Sequence, residues 1–148
     1  MDDKIGAPHT EGTTPYVEYL VVAPEPGGSE YVQRCVQLRL FGSDAQNLQL
    51  QTRSWTVATT VSPSAWTPLA SGLSTVSGAA PFVRTQPTTA LNHQLLGIKL
   101  VARSGTSNKA TRAVTYTALN SNANTALDAS GNPIAVTAEP CYHTATRS

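Results

Sequence analysis

The three histidines, His9, His93 and His143, are the first candidates for metal or acid–base chemistry. Their spacing argues against a metal site, because no two sit at the i, i+2 of a strand or the i, i+4 of a helix that would aim two imidazoles at one ion. Serine and threonine are abundant, but no Gly-x-Ser-x-Gly turn occurs, and a hydroxyl nucleophile still needs a base and an orienting acid. Asp128-Ala129-Ser130-Gly131-Asn132 begins like a calcium loop, then lacks the later acidic ligands that a hard cation requires. It reads as an Asx turn. Gly27-Gly28 and the loop 104–110 are not phosphate-binding loops, since neither leads into a helix. No motif implies a cofactor, and the chain reads as non-enzymatic.

Two tryptophans, Trp55 and Trp66, carry the alternative of ligand stacking, with Tyr116 or Tyr142 extending the platform for a sugar or a base. Against this stands ordinary core or rim packing, the usual fate of Trp on a β-rich chain with only nine aromatic residues. Lys99, Arg103, Lys109 and Arg112 fall on one inferred hairpin and its tip. They form either a basic stripe for a partner or a solubilising face. Nucleic acid is disfavoured as that partner, because base-stacking aromatic residues are not interleaved with the cations.

The charge distribution is uneven. No Asp or Glu occurs in the 83 residues from Ala45 to Leu127, which hold six basic residues, while seven of the nine acidic ones precede them. A net charge of +1 therefore hides an acidic leader and a basic body. One chain with both surfaces suggests a head-to-tail contact in which the leader, with Asp2, Asp3 and Glu11, meets Lys99, Arg103, Lys109 and Arg112 of the next copy.

Short β elements must position these groups. The chain has 148 residues, 13% of them charged, and its Thr, Ser, Val and Gln suit pleated surfaces better than helices. Tyr16–Val22, Tyr31–Phe41, Leu48–Thr52, Leu95–Arg103 and Arg112–Leu119 read as strands. In the second, Val32, Val36, Leu38 and Leu40 share an inward face with Arg34, and Gln33, Cys35, Gln37 and Arg39 take the other. Trp55–Val57, Ala65–Leu69, Phe82–Arg84 and Ile134–Ala138 are shorter candidates, with Gly72 and Gly78 as breaks. The first fifteen residues have no apolar period and read as an arm. Residues 120–148 are rich in Asn, Ala and Thr, and the last ten read as a tail. Cys35 and Cys141 have neither metal nor redox spacing; both are expected to be reduced, with a disulfide closing the long loop between them as the alternative that spacing alone does not decide.

Val36-Gln37-Leu38-Arg39-Leu40, Leu48-Gln49-Leu50-Gln51-Thr52, Trp66-Thr67-Pro68-Leu69, Leu96-Gly97-Ile98-Lys99-Leu100-Val101-Ala102 and Ala113-Val114-Thr115-Tyr116-Thr117-Ala118-Leu119 together resemble small jelly-roll-like β-sandwich virion proteins of tailed bacteriophages. The resemblance spans somewhat over half the chain. Strand patterning makes the expected fold all-β, an antiparallel β-sandwich, and the resemblance makes it jelly-roll-like. An N-terminal arm (1–15), a sandwich domain (16–138) and a C-terminal tail (139–148) would compose it. The implied function is that of a virion structural protein: a capsid decoration, head-associated or minor tail component. Its partners would be other copies of itself and other virion proteins. No signal peptide or membrane span is read, so synthesis in the host cytoplasm is expected. A carbohydrate-binding module contacting surface glycans is the alternative.

Overall fold

The computed structural model describes residues 4–25, 27–28, 30–57, 62–90, 94–103, 110–119, 127–134 and 141, with Lys4, Arg103 and 110–119 described as backbone. These residues form nine strands: β1 (Lys4–Ile5), β2 (His9–Glu11), β3 (Thr14–Pro24), β4 (Tyr31–Phe41), β5 (Leu48–Thr56), β6 (Thr67–Thr75), β7 (Phe82–Thr85), β8 (Leu95–Arg103) and β9 (Ala110–Leu119). All belong to one curled sheet in the order β1-β3-β4-β5-β6-β8-β7, with β2 also on β3 and β9 also on β8. Every pairing is antiparallel.

Strand β6 makes the corner. It pairs with β5 through Thr67, Pro68, Ala70 and Leu73, and with β8 through Leu73–Thr75. Between Ala70 and Leu73 it carries two residues opposite the single Gln49 of β5, and Leu69 is a further extra residue. Gly72, at φ 69°, takes the left-handed conformation that such a bulge demands. The glycine expected to break the chain instead bends a continuous strand from one neighbour to the next.

The curl brings the two ends of the path together at Ile5. No backbone ladder joins β1 to β7 among the described residues; side chains do so. The Ile5 N–H donates to Gln94 Oε1 at 3.0 Å, and the Ile5 carbonyl accepts from Gln94 Nε2 at 3.3 Å and from Arg84 Nη1 at 3.1 Å. Inside the curl Ile5, Val17, Leu38, Leu40, Leu73, Phe82, Leu96 and Leu100 form the main core. Alternation on β4 and β8 fills it as expected, with Leu38 and Leu40 from one and Leu96, Ile98, Leu100 and Ala102 from the other. Burial within it also raises the Tyr19 phenol pKa.

Three expectations change. Residues 4–15 are not a free arm: they form β1, β2 and the start of β3, and Ile5 is a core residue. A two-residue strand has too little apolar period to be read from sequence. The cysteines are not free thiols, because Cys35 and Cys141 are joined in a disulfide with Cα atoms 5.6 Å apart at a sequence separation of 106. Spacing cannot show such a pairing, whereas β4 places Cys35 inside a second small cluster with Leu20, Trp55 and Cys141. Thirdly, the β4 face expected to point outward is itself covered at Cys35 and Gln37. The coarse class stands: an antiparallel all-β sheet without a helix among the described residues. Ile134 lies outside any strand, and 135–138 and the tail other than Cys141 lie outside the described residues.

Candidate functional site: an arginine–aromatic face

The outer face of β3, β4 and β5 carries the densest polar chemistry. Register sets Tyr16 opposite Arg39, Glu18 opposite Gln37, Gln37 opposite Arg53 and Arg39 opposite Gln51. Alternation thus gathers on one face the residues left over when Val17, Leu38, Leu40 and Leu50 turn inward. Trp66, just before β6, extends the Thr67–Thr52 pairing by one residue and so lies beside Arg53.

A stack crosses this face. The Arg39 guanidinium lies 4.1 Å from the Phe41 ring centroid and 3.9 Å from that of Trp66, and Arg53 lies 4.3 Å from the Trp66 centroid. Tyr16 leans on Trp66 at 6.1 Å and 49°, and His9 stacks on Tyr16 at 5.4 Å and 9°. Cation–π contacts of this kind contribute about 0.5–2 kcal/mol each, more as water is excluded. Two like charges share one indole, and desolvation followed by the Arg39 charge lowers the Arg53 pKa, opposed by Tyr16 and Glu18.

Beneath the stack an amide links opposite charges. Gln37 Nε2 donates to Glu18 Oε1 at 2.8 Å, and Gln37 Oε1 accepts from Arg53 Nε at 2.7 Å. Glu18 and Gln37 are buried. A carboxylate and a guanidinium are thereby coupled through one fixed dipole, an arrangement that holds geometry. Alongside, Arg39 Nε donates to Gln51 Oε1 and Gln51 Nε2 to Gln49 Oε1, each at 2.8 Å. At the edge, His9 is less well served. Both its ring nitrogens are buried without a hydrogen bond, and the 3.9 Å from Nε2 to Glu11 Oε1 exceeds hydrogen-bond length.

Of the residues singled out from sequence, Trp66 belongs to this face. Trp55 shares the face by register, opposite Cys35, but lies outside the stack, buried beside the disulfide. Glu11 sits on β2 and Lys99 is exposed on β8, outside the stack. Arg103 and Arg112 lie on the β8–β9 pairing near its open end, and Asp2, Asp3 and Lys109 are outside the described residues, as are Tyr142, His93 and His143. Among the described residues of the acidic leader, Glu18 is buried, and Glu25 and Glu30 flank the turn at the opposite end of β3 from Glu11. Sequence reasoning passed over Arg39, Arg53, Gln37 and Phe41. Their signal was the strict alternation of Gln37, Arg39 and Phe41 against Gln49, Gln51 and Arg53.

Asp128 forms the Asx turn, with Oδ1 accepting from the N–H groups of Ser130 at 2.8 Å and Asn132 at 2.9 Å. Among the described residues no three His, Cys, Asp or Glu side chains are grouped to hold a metal ion. Among the described residues no helix is long and apolar enough to cross a membrane. No known protein family, characterised protein or solved structure matches the chain.

Proposed function

We propose that the chain is a non-enzymatic structural subunit of a virion, a capsid decoration, head-associated or minor tail component that packs against its own copies and other virion proteins. One observation carries the assembly part of this reading. Thr67–Ser71, the first half of β6, is exposed on both faces although it pairs with β5, and Leu69 is 57% exposed. Strand β6 has no charged residue along its length. Sheets usually guard such stretches with charge or cover them, and a neighbouring subunit is a natural cover. The virion setting rests on the sequence resemblance. Quantitative mass spectrometry of purified virions from the source tests it: a fixed, stoichiometric copy number is expected, and absence from the particles overturns the reading.

A carbohydrate-binding module remains the second reading, on a different aromatic residue from the tryptophans. Phe41, 45% exposed, borders a shallow depression of about 280 Å³ lined also by Gly42, Ser43, Asp44, Asn47 and Gln49. An aromatic face beside amide, hydroxyl and carboxylate groups suits a sugar. Glycan-array binding abolished by Phe41→Ala would place this reading first.

A further inference from the structure

Arg39 is a cation with no opposite charge to answer it. Its Nε donates to Gln51 Oε1 and its guanidinium lies against the Phe41 and Trp66 rings, but among the described residues neither Nη group meets an acceptor and no carboxylate pairs with it. The Nη groups are open to water, since the buried side-chain atoms left without a partner among those residues are the two nitrogens of His9. Arg53 differs, because the Gln37 amide ties it to buried Glu18. Its pKa is lowered by desolvation and then by the charge of Arg39, the effect of an uncompensated cation beside it.

The guanidinium is also held in place before any ligand arrives. Gln49 fixes Gln51, Gln51 fixes Nε, and two rings lie against the group, so little side-chain freedom is left to lose on gripping an anion. An anion reaches it edge on, where the Nη groups form a fork that matches a planar carboxylate. Register sets what lies next to the fork. Phe41 pairs with Gln49 one same-face step from Arg39 and Gln51, about 7 Å along the strands, and there the depression of about 280 Å³ opens. Ser43, Asn47, Gln49 and Asp44, the last steadied by the Gln46 N–H at 2.9 Å, offer it hydroxyl, amide and carboxylate groups. We infer that Arg39 and this depression form one site for an acidic sugar, a ring bearing a single carboxylate: Arg39 takes the carboxylate, Phe41 the apolar face of the ring, and Asp44, Asn47 and Gln49 its hydroxyls. This ligand class rests on the carbohydrate-binding reading. Asp44 sets the direction of the sugar, since its negative charge turns the carboxylate away from itself and towards Arg39.

NMR titration of the full chain, following the amides of Phe41 to Gln49, tests this with methyl glucuronide and its neutral counterpart, methyl glucoside. The glucuronide should bind about tenfold tighter, a preference that shrinks with added salt. Arg39→Gln should remove the preference, and Arg39→Lys should keep only part of it, because an ammonium lacks the fork. Phe41→Ala should weaken binding of both sugars. Equal binding of the two sugars by the parent overturns the acidic-sugar site and leaves the carbohydrate reading standing, whereas binding of neither overturns both. Acetate that binds as tightly as the glucuronide also overturns the site, since the depression would then contribute nothing. The parent comparison needs no substitution, so a variant that fails to fold leaves the decision intact.

Discussion

Replacing Gln37 by Leu should destabilise the fold far more than a polar-to-apolar change of similar size suggests. Leu leaves no large cavity, but it removes the donor to Glu18 and the acceptor from Arg53 in a site that is 0% exposed at Gln37. Hydrogen bonds to charged groups contribute about 1.5–3 kcal/mol each. Glu18 and Arg53 have other partners and recover part of the loss. The net cost should be about 3 kcal/mol, a large share of a typical total of about 5–15 kcal/mol. Urea unfolding followed by tryptophan fluorescence should show a lower midpoint at unchanged slope, and the melting temperature should fall by about 10 °C. Glu18→Leu combined with Gln37→Leu should recover part of the loss, because no buried carboxylate is then left without its donor. A single variant within about 1 kcal/mol of the parent would refute the reasoning, since the amide would then not be coupling the two charges.

Three further outcomes are expected. Converting Cys35 and Cys141 to Ala should cost about 4 kcal/mol in chemical unfolding, because the bridge closes a loop of roughly a hundred residues, and intact-mass analysis of the parent should find no free thiol. His9→Phe keeps the stack on Tyr16 while removing two buried nitrogens without partners, so it should raise stability by about 1 kcal/mol in thermal unfolding. The Asp128 carboxyl is held below the ordinary carboxylate range by the N–H of Asn132 and then of Ser130. Its contribution to the turn is therefore present above the unfolded pKa and lost as pH falls through the lower folded one. NMR titration of the Ser130 and Asn132 amides should accordingly show a midpoint below that of a free Asp.

The strands of the body were legible because each has a period of two over many residues, as Val36 to Leu40 and Leu96 to Ala102 show. Strand β6 was only half legible, since Gly72 reads as a break until the bulge is seen. β1 was hidden because its stability comes from Ile5 in the core and from Gln94, 89 residues away in sequence. The arginine–aromatic face was legible as alternation but not as a site. Register brings Arg39, Arg53 and Trp66 together, and pairing register is long-range information that residue types do not carry. The Cys35–Cys141 bond was illegible for the same reason.

Sedimentation velocity of the full chain across a wide concentration range tests the central claim, that this is an assembling subunit, most directly. Reversible self-association of the parent is expected, weakened in Leu69→Glu while the melting temperature stays within a few degrees, because Leu69 is exposed in the single chain. A parent chain that stays monomeric throughout, with Leu69→Glu indistinguishable from it, would contradict the account.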